Sequence, residues 1–191
     1  VGSDPMGGRG RGVVSTANYK AREYGIHSAL PISQAWQFSE AARKRGKPPV
    51  IFLPPNFERY TEASEHIMAI IRAHAPLVEQ ASVDEAYFDL SFSGSYAKAE
   101  KICRAIKEEI KQKEKVTASV GIGPNKLIAK IASGFQKPDG LTMVKEENAE
   151  AFLEQMSVRA IPGIGPKTES VFGARGAKTV RDLKKFSPEE L

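Results

Sequence analysis

The chain has 191 residues, 41% of them hydrophobic, and 28 Lys and Arg against 23 Asp and Glu give a net charge of +5. That supports one large domain or two small ones, and the modest basic excess suits an anionic partner. A single cysteine, Cys103, excludes a disulfide scaffold or a Cys-rich metal site, and with no long apolar run and no secretory signal the expectation is a cytoplasmic chain without membrane association. The histidines His27, His66 and His74 form no metal-ligand pattern and are expected to be solvated or packed.

Residues 1–12 read as a Gly-rich loop that opens in mid-fold, so the chain is expected to be an internal piece of a longer protein. From Val13 a short strand runs into a brief helix that Gly25 stops. A helix from Ser33 to about Arg45 ends before Pro48-Pro49. Asn56 then caps a helix whose apolar positions Tyr60, Ala63, Ile67, Ile70 and Ile71 keep the helical period up to Pro76. Residues 78–83 and 86–90 are short, β-branched or aromatic runs, predicted as two strands with a tight connection. Downstream, Ala99, Ile102, Cys103, Ile106 and Ile110 form one stripe of an amphipathic helix with Lys101, Lys107, Glu108 and Lys111 outside it. A strand over 116–122, a helix over 125–135 with Leu127, Ile128 and Ile131 inward, and a strand over 141–144 follow. Beyond Val144 only helices are predicted, so a small all-helical unit is expected from about Lys145. The irregular alternation predicts an α+β fold: a mixed or antiparallel sheet around a central hairpin, with packed helices on one face.

Two features carry chemistry. Asp84 and Glu85 stand together in Ser82-Val83-Asp84-Glu85-Ala86-Tyr87 at the hairpin connection. Adjacent carboxylates there suit a magnesium ion, which uses one or two carboxylates plus substrate phosphates, and an ordinary solvated turn satisfies the same two residues. The second is Ile161-Pro162-Gly163-Ile164-Gly165-Pro166-Lys167-Thr168. Two glycines two apart, between a short helix ending near Arg159 and one starting near Pro166, let backbone amides approach a phosphate, and Lys167 adds charge beside them. Such a helix-hairpin-helix grips a sugar-phosphate backbone without reading bases.

Three separated blocks, residues 16–22 (Thr-Ala-Asn-Tyr-Lys-Ala-Arg), residues 82–87 and residues 121–126 (Gly-Ile-Gly-Pro-Asn-Lys) continuing through Ala129-Lys130 to Lys137-Pro138, resemble the signature blocks of Y-family translesion DNA polymerases, in the lesion-bypass branch shared by archaea and bacteria. The resemblance implies small fingers over 1–57, an incomplete palm over 58–144 and an incomplete thumb with the helix-hairpin-helix over 145–191. It implies template-directed DNA synthesis past damage, with two Mg2+ ions, of which Asp84 bridges both and Glu85 binds the catalytic one. Thr16, Tyr19, Arg22 and Lys137 are the expected contacts to the incoming deoxynucleoside triphosphate. Ser15, Ser28 and Ala29 resemble the small residues over the nascent base pair. Ile161, Gly163, Gly165, Lys167 and Thr168 are the expected contacts to primer-template DNA. A monomer is implied, with a sliding clamp as partner through a C-terminal region beyond the chain.

The family's first palm strand, with its third metal-ligating aspartate and the aromatic gate against ribonucleotides, has no match here, and Asp4 in its Gly-rich loop is not a substitute. The family's C-terminal little finger has no match either. Two alternatives therefore stand beside the polymerase: a non-catalytic DNA-binding module, and a nucleotidyl cyclase-like palm, which would lack the helix-hairpin-helix.

Overall fold

The structure is a computed structural model that describes residues 1–190; Leu191, the last residue of the expected thumb segment, lies outside the described residues. The described residues divide into two compact units, one over Val1–Tyr60 and one from Thr61 onward.

In the first unit the strand predicted from Val13 is reduced to isolated antiparallel bridges, Gly2 with Val14 and Val13 with Pro31. Val14 N–H donates to Leu30 O (2.9 Å) and Ala29 N–H to Val14 O (2.8 Å). α1, Tyr19–Arg22, is a single turn in which Asn18 Oδ1 accepts from Ala21 N–H at 2.9 Å. Gly25, at φ +82°, stops it as expected. α2, Ile32–Lys44, buries Ile32, Ala35, Ser39 and Ala42 on one face. Ser39 is tolerated there because its hydroxyl accepts from Val50 N–H at 2.9 Å. Val14, Ile26, Leu30, Ile32 and Ala35 make the core, with Tyr24, Val50 and Phe52 against it.

α3, Phe57–His74, starts at Asn56, whose side chain accepts from Arg59 N–H at 3.1 Å. Its buried stripe is Ser64, Met68, Ile70 and Ile71; Tyr60, expected in that stripe, is 40% exposed. β1, Leu77–Gln80, and β2, Ala86–Asp89, pair antiparallel with Val78 opposite Phe88 and Glu79 opposite Tyr87. Alternation of side chains along a strand sends Val78, Ala86 and Phe88 to the core of Met68, Ile71, Ile106 and Ile110. The strands are shorter than expected and the connection, residues 81–85, correspondingly longer.

α4, Tyr96–Glu114, buries Ala99, Cys103, Ile106 and Ile110, and Ser95 caps it. Burial pushes the Cys103 thiol up to about 12, so it is a packed apolar group rather than a nucleophile. β3, Val120–Ile122, α5, Lys126–Phe135, and β4, Leu141–Met143, form a parallel crossover in which Val120 pairs with Leu141 and Ile122 with Met143. The predicted strand over 116–122 thus keeps only its last three residues, and Val116 is 47% exposed. Leu127, expected inward, is 46% exposed, while Ile128, Ile131 and Ala132 are buried. The single sheet expected around the hairpin is, among the described residues, two two-stranded sheets, one antiparallel and one parallel. They share a core in which Phe88, Leu90, Val120, Leu141 and Met143 surround Ala99, Cys103 and Ile122.

After β4 the chain forms α6 (Ala149–Glu154), a 3-10 turn (Val158–Ala160), α7 (Pro166–Ala174) and α8 (Val180–Leu183). One antiparallel bridge, Ser157 with Thr179, interrupts what was expected to be purely helical. α6 packs Ala149, Phe152 and Leu153 on Ile128, Ala132 and Val144, while Val158, Phe172 and Ala177 form a separate small core. Among the described residues no helix is long and apolar enough to cross a membrane.

Candidate active-site hairpin and phosphate contacts

Asp84 and Glu85 occupy the connection between β1 and β2, both exposed. Ala81 N–H (2.9 Å) and Ser82 N–H (3.1 Å) both donate to Glu85 O, which closes the loop and fixes the backbone beneath the two acids. Ser82 Oγ donates to Asp84 Oδ1 at 2.7 Å and accepts from Asp84 N–H at 3.3 Å. The Lys130 ammonium on α5 is ion-paired with Glu85 Oε1. One turn earlier, Lys126 pairs with Glu79 and lies 5.6 Å from the Tyr87 ring centroid. Two lysines at i and i+4 of α5 therefore reach the hairpin, Lys130 at the acid Glu85 and Lys126 at Glu79 on β1 and the Tyr87 ring on β2. Among the described residues no three His, Cys, Asp or Glu side chains stand together as a metal cage. The donor chemistry still fits a divalent cation, because two carboxylates with solvent access are what Mg2+ takes when phosphates complete its shell.

The approach of α5 to β3 depends on two glycines of the Gly-Ile-Gly-Pro-Asn-Lys block. A Cβ on Gly121 would lie 2.0 Å from Ala129 O and 2.4 Å from Ser133 N. One on Gly123 would lie 2.8 Å from Ile128 Cγ2 and 2.9 Å from Ala129 N. Asn125 Oδ1 accepts from Ile128 N–H at 3.0 Å and starts the helix. These three residues place Lys126 and Lys130 beside the hairpin.

Tyr19 and Arg22 stand on α1 in the first unit and Thr16 lies in the loop before it, all exposed. The Arg22 guanidinium lies 5.7 Å from the Tyr19 ring centroid, and its Nε donates to Ala17 O at 2.9 Å. Among the described residues it has no carboxylate partner. Ser15, Ser28 and Ala29 are exposed and brought side by side by the Val14 pairing; Ala29 sits at φ +66°, an uncommon conformation outside glycine. Lys137 belongs to the second unit, exposed and, among the described residues, without an ion-pair partner.

In the segment from Ile161 to Thr168 Gly163 adopts φ +92°, Ile164 N–H donates to Ile161 O at 3.1 Å, and Gly165 is the N-cap of α7 with Pro166 in its first turn. No atom lies within 4 Å of a Cβ built on either glycine, so both face open space. Lys167 and Thr168 are exposed in the first turn of α7, while Ile161 and Ile164 are half-buried. The predicted preceding helix is only the 3-10 turn, capped by Ser157.

A family model described as impB/mucB/samB matches residues 4–134. The chain belongs to the impB/mucB/samB family. It is 49% identical over 185 residues to "DNA polymerase IV 2" of Methanosarcina mazei, covering 96% of this chain and 48% of that protein. Its fold matches the crystal structure of DinB from Sulfolobus solfataricus with a TM-score of 0.84 at 34% identity, covering 94% of this chain and 51% of that one. An insertion ternary complex of Dbh DNA polymerase gives the same TM-score and identity over 95% of this chain and 51% of that one. The chain spans about half the length of the relatives it matches. The Y-family resemblance read from the three blocks is thus the family the chain belongs to. Within this impB/mucB/samB chain the sequence reading named the two acids but gave no role to Lys130. The signal available was its spacing from Lys126 on a helix capped by Asn125.

Proposed function

We propose that the chain is the fingers, palm and part of the thumb of a template-directed DNA polymerase that synthesises past damaged templates. The observation that carries the reading is the Asp84-Glu85 pair, presented at the tip of a backbone-closed hairpin inside the segment matched by the family model. Asp84 and Glu85 would hold two Mg2+ ions. A divalent cation bound there supplies activation of the primer 3′-hydroxyl and neutralisation of charge on the phosphates. Thr16, Tyr19 through its hydroxyl, and Arg22 and Lys137 through their charge, would each contact the incoming deoxynucleoside triphosphate. Ser15, Ser28 and Ala29 would roof the nascent base pair with little bulk, which leaves room for a damaged template.

The segment from Ile161 to Thr168 would bind the DNA backbone through amides at Gly163 and Gly165 and the charge of Lys167. The division into fingers over 1–57, palm over 58–144 and thumb over 145–191 belongs to the same reading, as do a cytoplasmic monomer and a clamp engaged through sequence beyond this chain. The test is Asp84→Ala and Glu85→Ala in the full-length protein. Nucleotide incorporation is abolished and DNA binding stays within a small factor, because affinity comes from amides and cations elsewhere. Incorporation at the wild-type rate by either variant would refute the metal assignment.

A further inference from the structure

We propose that Lys130 is a positioning residue that fixes Glu85 as a one-oxygen ligand and so biases the hairpin tip toward Mg2+ over Ca2+. The inference rests on the metal reading of Asp84 and Glu85 above. Both ends of the Lys130–Glu85 pair stand on held backbone. Glu85 O accepts from Ala81 and Ser82. α5 is capped by Asn125 and buries Ile128, Ile131 and Ala132. The Lys130 and Glu85 side chains are 32% and 45% exposed, so the pair borders solvent without being freely solvated.

Each of the two acids has one oxygen engaged by the protein. Lys130 donates to Glu85 Oε1 and Ser82 donates to Asp84 Oδ1, while Oε2 and Oδ2 have no protein donor among the described residues. Mg2+ demands near-octahedral coordination by single oxygens, whereas Ca2+ accepts carboxylates bidentately in a larger, looser shell. An ammonium on Oε1 blocks the bidentate mode and leaves the monodentate one. Its positive charge opposes both divalent ions alike, so in the ratio of their affinities that repulsion cancels and denticity remains.

The test reads binding without turnover: Mn2+ bound to the full-length protein is followed by electron paramagnetic resonance and displaced by Mg2+ or Ca2+. Lys130→Met shifts the ratio of the two affinities toward Ca2+ by about tenfold, while Lys126→Met, which removes an equal charge from the neighbouring Glu79 pair, shifts it by less than about twofold. An unchanged ratio in Lys130→Met, with Mn2+ binding still lost in Glu85→Gln, overturns the positioning role alone. Binding that survives both Asp84→Asn and Glu85→Gln overturns the metal reading and the inference with it. Should circular dichroism show Lys130→Met unfolded, Lys130→Arg decides: a guanidinium fork covers both carboxylate oxygens and weakens both ions by about tenfold, and unchanged constants there refute the role.

Discussion

Replacing Gly121 by alanine tests whether the close contact of β3 with α5 holds the second unit together. The new methyl would stand 2.0 Å from Ala129 O, 2.4 Å from Ser133 N and 3.0 Å from Ala129 C. These are backbone atoms of a helix whose hydrogen bonds lock them, so no side chain can swing aside. α5 must therefore move away from β3 by about 1 Å or more, which loosens the packing of Ile128 and Ala132 on Val144. Overpacking costs about 1–3 kcal/mol, and a clash with two backbone atoms places this variant at the upper end, about 3 kcal/mol. For a unit of this size that is a fall in Tm of about 6–12 °C. Gly134→Ala is the internal control, because Gly134 lies in the same helix with nothing within 4 Å of its added Cβ. Alanine there gains about 0.5–1 kcal/mol from helix propensity. Urea unfolding followed by circular dichroism, with thermal melts beside it, separates the pair. A Gly121→Ala midpoint equal to wild type, at unchanged m, would refute the close-packing argument.

Tyr19→Ala and Arg22→Ala in the full-length protein lower incorporation efficiency by roughly tenfold to a hundredfold, the loss of one charge-assisted phosphate contact; steady-state kinetics with unchanged efficiency in both would place the triphosphate elsewhere. Lys107→Met destabilises the chain by about 2–4 kcal/mol, because a side chain only 13% exposed donates to Asp139 Oδ1 at 2.6 Å, Asp139 O at 2.9 Å and Gly140 O at 3.2 Å as well as to Ala118 O; a urea midpoint equal to wild type would count against it. Acid weakens the C-terminal helices. Asp182, bonded first by Lys185 and then by the N–H groups of Thr179 and Lys178, and Glu154, bonded by Lys184 and Arg181, are held below their ordinary carboxylate values. Depressed folded values mean that this stability is complete above the unfolded carboxylate range near pH ~4 and disappears as pH falls through the lower folded values. A Tm that stays level on acidification through that window would contradict it.

Local chemistry was legible in the chain itself. Asn56 was read as the cap of α3 because a short polar side chain meets an orphan N–H where a helical period begins, and Gly25 as the stop of α1 because its φ is positive; Asn18, Ser95 and Asn125, which were not singled out, cap α1, α4 and α5 for the same reason. The Asp84-Glu85 pair and the Gly-rich segment at 161–168 stood out in the sequence, as adjacent carboxylates beside apolar strands and paired glycines before a helix, and it was the resemblance of the surrounding blocks to a family, rather than the residues alone, that gave them roles in a polymerase. The periodic stripe of α4 named Ala99, Cys103, Ile106 and Ile110 correctly, since a long helix on a sheet leaves one face no choice.

Partners distant in sequence were not legible. Leu127 was expected inward together with Ile128 and Ile131; those two reach the core along with Ala132, while Leu127 is 46% exposed, because the close approach of α5 to Gly121 and Gly123 decides which of its residues are covered. Likewise Met68 and Ser64 take the buried stripe of α3 while Tyr60 is exposed, because what covers a helix face depends on the elements that reach it. The division of the strands into an antiparallel hairpin and a parallel crossover is a matter of which edges meet. The Lys130 clasp on Glu85 joins residues 45 positions apart. No local propensity encodes such a pairing: it exists only once β3 and α5 have closed to glycine distance and carried a helix surface to the hairpin tip.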